Sequence, residues 1–137
     1  KNLLEAGVEL FEYRSDAADT ADLLAPGIRS RFVSLHTKTF VIDREFVYIG
    51  SLNMDPRSFH LNTEMGLLIA APPLAEAVAG LVEQDMAADN AWHVTLDDEG
   101  RLAWSSADRT TQLQPARNLG QRIADFFYGL LPIKGQL

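Results

Sequence analysis

The sequence predicts an α/β fold, a mixed β-sheet flanked by helices. Three observations carry that prediction. A zone from Phe32 to Ala71 is dense in β-branched and aromatic residues. Leu74, Ala77, Val78, Leu81, Val82 and Met86 then recur at spacings of three and four, which is the stripe of an amphipathic helix. A third stretch, Arg117 to Leu131, repeats that spacing with Leu119, Ile123, Phe126, Phe127, Leu130 and Leu131.

Each element follows from local chemistry. Glu5 to Tyr13 reads as a short helix end, a stop at Gly7, and an alternating strand from Val8 to Tyr13. Residues 14–31 are small and polar and read as a loop broken by one helical turn. Phe32 to Ile42 reads as a strand, Asp43-Arg44-Glu45 as a tight turn, and Phe46 to Ile49 as the returning strand. Gly50 to Asn62 is loop-like around Pro56, and the apolar run Glu64 to Ala71 predicts a strand covered on both faces. Pro72-Pro73 punctuates, and a helix follows from Leu74 to about Asn90. Trp92 to Trp104 alternates about Asp98-Glu99-Gly100, predicting a hairpin, and Ser105 to Pro115 reads as polar linker. The helix over Arg117–Leu131 is stopped by Pro132.

Composition bounds what such a fold can do. The chain has 137 residues, 47% hydrophobic and 23% charged, enough for both a core and a polar surface. It has no cysteine, which excludes disulfides, thiolate metal sites and thiol catalysis. No run approaches the ~20 apolar residues that a membrane-spanning helix needs. With 19 acids against 12 bases the net charge is -7, which argues against a generic nucleic-acid partner. From Glu76 to Glu99 there are seven acids and no Lys or Arg, a pattern read as a solvated surface. The basic residues Arg29 and Arg31 lie just ahead of the β-rich zone, and Lys38, Arg44 and Arg57 lie within it. The chain starts at Lys1 without a leader, which suggests a piece of a longer protein.

The informative polar residues lie between His36 and Glu64. His36 and Lys38 are two apart in a strand, so both side chains point to one side. Packing does not account for an imidazole and an ammonium there, because a covered lysine is rare without an anion beside it. Ser51 and Asn53 again share a face, and Asp43, Asp55, Arg57, Ser58, Asn62 and Glu64 complete the set. Read from the residues alone, this suits a tetrahedral anion. Lysine and asparagine would hold its oxygens while imidazole attacks or transfers a proton. Glu64 would accept from the other ring nitrogen of His36 and fix its tautomer. Set against these, His60 and His93 fit no such pattern, and Trp92, Trp104 and the Phe126-Phe127-Tyr128 cluster read as packing.

The segment His36-x-Lys38-x4-Asp43-x6-Gly50-Ser51-x-Asn53 resembles the HKD motif of the phospholipase D superfamily. Its continuation, Asn53-Met54-Asp55-Pro56-Arg57-Ser58-x3-Asn62-x-Glu64-Met65-Gly66, resembles the bacterial cardiolipin synthase branch, as does the closing stretch Gly129 to Gly135. The likeness is sharp over residues 8–70 and looser beyond. It implies that residues 1–137 are the C-terminal part of a phospholipase D-like catalytic domain carrying one HKD motif. It also implies a phosphatidyltransferase that works through a phosphohistidine, without metal or other cofactor. Two such motifs would form one site, so a missing N-terminal half or a homodimer partner is expected beside the phospholipid substrate.

Carried over residue by residue, the resemblance makes His36 the motif histidine, in this half the general acid. Lys38 and Asn53 become phosphate donors, Ser51 the hydroxyl beside them, and Glu64 the carboxylate orienting the histidine. Asp43 is the motif aspartate and is expected to hold the strand-turn-strand. Arg57 is expected either to meet a lipid headgroup or to pair with Asp55. Two other functions stay open at this point: a phosphodiesterase or nuclease of the same superfamily, and a non-catalytic half-site that binds phosphate or lipid. No nucleic acid partner is expected. Peripheral contact with a bacterial cytoplasmic membrane is, although a basic face on the last helix is weak, with only Arg117, Arg122 and Lys134 nearby.

Overall fold

The computed structural model describes residues 1–19 and 36–115. In chain order they form α1 (Asn2–Glu5), β1 (Leu10–Tyr13), β2 (Thr39–Ile42), β3 (Phe46–Gly50), α2 (Pro56–His60), β4 (Gly66–Ala70), α3 (Pro72–Asp85), β5 (Ala91–Leu96), β6 (Leu102–Ser105) and β7 (Thr110–Thr111). The α/β class expected from the sequence holds, and every described ladder is antiparallel. Residues 1–19 with 82–115 form one compact unit, and residues 36–81 belong to a second, with α3 running from the second into the first. The strand start at Phe32, the loop over 20–31, the helix over Arg117–Leu131 and its aromatic cluster lie outside the described residues.

The first unit is a four-stranded sheet in the order β1-β5-β6-β7. Alternation along β5 and β6 buries Trp92, Val94 and Trp104, and Leu4, Leu10 and Leu102 pack against them. The hairpin turns where the sequence predicts, with Gly100 at φ 70. Asp97 ties that turn together: its carboxylate accepts from the backbone N–H of Glu99 at 3.0 Å and of Arg101 at 2.8 Å. Those bonds, the one to Arg101 foremost, hold its carboxyl below the usual range. One acid of the seven-acid stretch is therefore a turn device.

Two segments expected to be loop or linker are built into this unit. Ser105 to Pro115 contains β7, and its turn is closed by the Ser106 N–H donating to the Arg109 carbonyl at 2.9 Å. In the polar stretch after β1, Arg14 and Asp19 are buried. Arg14 donates to Asp16 at 3.0 Å and to Asp108 at 2.8 Å, and its guanidinium lies 5.2 Å from the Trp92 ring. Asp19 accepts from the Tyr13 hydroxyl and from Asn90 Nδ2 at 2.9 Å. Composition marks such residues as surface. Long-range partners 71 and 94 positions away make their burial affordable in energy, and no local signal reports them.

The second unit is a three-stranded sheet in the order β2-β3-β4. Asp43 and Arg44 sit at φ 51 and 54, the paired positive angles of a type I′ turn, and the Glu45 N–H donates to the Ile42 carbonyl at 3.0 Å. The strand expected to be covered on both faces is not: in β4, Leu67 and Leu68 are 66% and 64% exposed. The reason is position. Among the described residues β4 pairs with β3 alone, at the edge of the sheet, and Val47 in central β3 is the fully buried side chain of this sheet. The loop expected around Pro56 contains α2 instead. At the head of α3, Pro72 and Pro73 occupy first-turn positions whose missing N–H costs nothing. The helix ends at Asp85 rather than near Asn90, and Leu74, Leu81 and Val82 of its expected apolar stripe are exposed.

Candidate functional site

Sheet register decides which sequence-predicted residues meet. Thr39 pairs with Ile49, and Gly50 with Gly66. The Gly50 N–H donates to the Lys38 carbonyl at 3.1 Å, which adds Lys38 to the same row. One step further the Ser51 N–H donates to the Met65 carbonyl at 2.9 Å. The ends of three strands thus bring His36-x-Lys38, Ser51 and Glu64 to one end of the sheet. Two rows back, on the same face, stand Phe40, Tyr48 and Leu68, with the Phe40 and Tyr48 rings stacked 5.2 Å apart. Tyr48 leans over Gly50 and Gly66, where a Cβ on either glycine would overlap its ring. Both glycines are therefore required by close approach at the base of the site.

At that end the Lys38 ammonium lies 3.1 Å from Nδ1 and 3.0 Å from Nε2 of His36, and donates to the His36 carbonyl at 3.2 Å. A neutral imidazole offers one acceptor nitrogen, so either tautomer meets this ammonium. His36 is exposed and Lys38 half-buried. Across the sheet, Ser51 Oγ donates to Glu64 Oε2 at 2.6 Å and accepts from the Met65 N–H at 3.0 Å. Glu64 is thereby held below the usual carboxylate range, by Ser51 first and then by Ser58 and Asn62, against the opposing charge of Asp55.

One expected contact, from Glu64 to the His36 ring, is not among the bonds of the described residues. Among the described residues the carboxylate of Glu64 is bonded to Ser51 and not to the His36 ring. The physical reason is competition: a hydroxyl delivered by the neighbouring strand end reaches the carboxylate at charge-assisted distance. Ser51, expected beside phosphate, has its proton committed to Glu64 in the same bond.

The remaining predicted residues separate cleanly. Asp43 stands in the exposed turn at the far end of β2, about 16 Å along the strand from Lys38 at ~3.3 Å per residue. Asn53 is half-buried in the loop before α2, and Arg57 is exposed on α2. No ion pair joins Arg57 to Asp55 among the described residues, because Asp55 is the N-cap of α2: its side chain accepts from the Ser58 N–H at 2.9 Å. His60 is exposed at the end of α2, while His93 sits in β5 with its ring stacked 4.8 Å from Phe11. Trp92 and Trp104 pack as expected. No group of residues among those described could hold a metal ion. Nor is any described helix long and apolar enough to cross a membrane.

Sequence reasoning left Ser58 without a role, although it is buried on α2 and its N–H donates to Asp55 at 2.9 Å. A signal for it was present. Asp55 followed by Pro56 and, three residues on, Ser58 is a helix N-terminus signature, and a helix there turns Ser58 inward.

An imidazole and an ammonium just ahead of β2 thus share one sheet end with a hydroxyl-bound carboxylate, over glycine-floored strand ends, and the expected strand from Phe32 begins, among the described residues, only at Thr39. Comparison with known proteins gives the family. The family described as "Cardiolipin synthase, PLD-like domain" matches residues 1–86, and the chain belongs to it. Cardiolipin synthase C of Escherichia coli (strain K12) is 37% identical over 139 residues, covering 98% of this chain and 29% of that protein. Cardiolipin synthase A of Pseudomonas fluorescens (strain SBW25) is 33% identical over 121 residues, covering 88% and 19%. Cardiolipin synthase of Geobacillus thermodenitrificans (strain NG80-2) is 39% identical over 67 residues, covering 49% and 10%. The chain thus spans less than a third of the length of these relatives. No solved structure matches it.

Proposed function

We propose that this chain supplies one of two half-sites of a cardiolipin synthase-type phosphatidyltransferase, as the C-terminal part of its catalytic domain. The observation that carries the reading is the Lys38 ammonium at 3.0 and 3.1 Å from the His36 ring nitrogens, on the strand end that faces Ser51 and Glu64. A cation and an imidazole so placed can share one phosphate: the ammonium moves to a non-bridging oxygen and leaves a ring nitrogen free for chemistry.

In the reaction, a histidine nitrogen attacks phosphorus of one phospholipid and the bond to its headgroup alcohol breaks. A second histidine gives that alkoxide its proton. The hydroxyl of an acceptor phospholipid then attacks phosphorus, the N–P bond breaks, and its proton returns to the second histidine. His36 is assigned the acid role. The partner histidine comes from a second motif, either elsewhere in a longer chain or in a second copy of this one. Lys38 and Asn53 hold phosphate oxygens, Glu64 supports the charge of the site, and Arg57 is free of Asp55 to meet an anionic headgroup. Asp43, in its turn, holds the strands in register. The substrate places the site at a membrane surface, reached peripherally.

The test is phosphatidyl transfer in vesicles of phosphatidylglycerol by the intact protein, with His36→Ala and Lys38→Ala. Both variants should lose transfer while keeping the fold. Phosphate recovered on His36 would exchange the roles of the two histidines. Cleavage of single-stranded DNA in preference to lipid would replace the substrate class, against the -7 charge.

A further inference from the structure

We propose that the Tyr48 hydroxyl is a further phosphate donor of this site: it reaches the row of Lys38 over Gly50 and Gly66 and hydrogen-bonds a non-bridging oxygen of the bound diester. The inference deepens the phosphatidyltransferase reading and rests on it for the substrate.

Strand register sets where the hydroxyl lies. Tyr48 stands opposite Phe40 on one side and Leu68 on the other. Two residues nearer the site, Gly50 stands opposite Gly66, and its N–H donates to the Lys38 carbonyl at 3.1 Å. Lys38, Gly50 and Gly66 thus form one row, and alternation puts it on the face of Phe40, Tyr48 and Leu68. Two positions of that row carry no side chain. The Tyr48 phenol fills their space, because a Cβ on Gly50 or on Gly66 would overlap its Oη and Cζ. Reach along a strand and diagonally to its neighbour is within the span of an aromatic side chain. The Phe40 ring, stacked 5.2 Å away at 24°, holds the phenol in that direction. Facing Cα atoms in a hydrogen-bonded antiparallel pair are about 5.5 Å apart. The hydroxyl therefore comes up beside the stem of Lys38, whose ammonium meets the His36 ring.

The group suits an anion. A phenol offers one proton to a hydrogen bond, and none of the described residues accepts it from Tyr48. Tyr48 is half-buried, so a ligand at the sheet end can reach it. Ser51, the hydroxyl expected beside phosphate, has its proton committed to Glu64 at 2.6 Å. Tyr48 supplies the hydroxyl donor that Ser51 does not. A phosphodiester spreads one negative charge over two non-bridging oxygens, and Lys38 and Tyr48 can each hold one. The phenol keeps its proton throughout, which leaves the acid role with His36.

In the intact protein Tyr48→Phe removes the hydroxyl and keeps the ring, so the stack on Phe40 and the filling over both glycines stay. Transfer in phosphatidylglycerol vesicles should fall about 10- to 100-fold, the scale of a lost hydrogen bond to a charged group, with the unfolding temperature unmoved. The direct readout is inorganic phosphate, titrated by NMR into protein labelled at the tyrosine ring carbons. The Tyr48 Cζ signal should shift on binding, and the phosphate dissociation constant should rise about 10-fold or more in Tyr48→Phe. Gly66→Ala, which pushes the ring aside, should weaken phosphate binding by itself and add little to Tyr48→Phe. Phosphate bound equally well by Tyr48→Phe would overturn the proposal, whatever became of the rate. So would a Tyr48 signal indifferent to phosphate. The functional reading fails separately: transfer that survives His36→Ala defeats it, while the phosphate titration still judges Tyr48.

Discussion

In the four-stranded sheet, tryptophans at 92 and 104 are buried and polar residues as unlikely as Arg14 and Asp19 are buried with them. In the three-stranded sheet Val47 is the one fully buried side chain among those described, and Ile49, Met65, Leu67 and Leu68 are exposed. Hydrophobic run length would have ranked the two the other way. What separates them is how many long-range partners each strand finds. Among the described strands β5 has neighbours on both sides, whereas β4 has β3 alone. The first unit uses its charges for structure, as Arg14, Asp16, Asp108 and Arg109 gather about Trp92. The second leaves its cations Lys38 and Arg57 at the surface, where chemistry can use them.

The largest expected effect breaks function without breaking fold. His36→Ala should lower phosphatidyl transfer by about 100-fold or more, the scale of lost acid–base catalysis. Because His36 is exposed, stability should move by no more than about 0.5 kcal/mol. Thermal unfolding measured beside the rate would separate the two.

Arg14→Ala should do the reverse. It removes a buried guanidinium with two carboxylate partners and a tryptophan face, and should cost about 2 kcal/mol of stability by denaturant titration. Protection from hydrogen exchange should fall in β1 and β5 and hold in β2 and β3. Uniform loss across both sheets would show that they unfold as one.

Gly66→Ala tests the floor of the site. A methyl there meets the Tyr48 ring, and displacing that ring should cost about 1–2 kcal/mol. The Lys38–His36 contact, at the same row of the sheet, should loosen with it.

Acidification should discriminate further, in direction rather than in size. Asp16, Asp97 and Asp108 are held below their ordinary range, Asp16 by Arg14, Asp97 by Arg101 and Asp108 first by Ser106. Their stabilisation is complete above the unfolded value, about 3.9, and is lost as pH falls through the lower folded values. Glu64 is the corresponding group of the second unit. Asp85 opposes the trend: burial, aided by Asp19, raises it, so its protonation favours the folded form. Amide exchange followed from pH 7 downward should show the four-stranded sheet failing before the three-stranded one, as roughly three groups outweigh one.

The smallest effect sits at the turn. Arg44 holds a positive φ that glycine adopts freely, so Arg44→Gly should stabilise by about 1 kcal/mol, less what the exposed pair with Glu76 contributes. Asp43→Asn should leave transfer nearly unchanged, since asparagine also tolerates that backbone.

The sequence by itself determined the elements whose signal is local. The hairpin about Gly100, the turn at Asp43 and the strands beside it, and the His36-x-Lys38 and Ser51-x-Asn53 spacings that mark the family are all properties of neighbours a few residues apart. Only the tertiary structure decided which groups those residues touch. Glu64 went to Ser51 and not to His36, because strand register delivers a hydroxyl at 2.6 Å. Asp55 became a helix cap, Arg14 found Asp108, and β4 was left at an edge. Periodicity records that a side chain prefers to be covered or paired. It cannot say which element will arrive to do so, because that element is set by pairings across tens of residues.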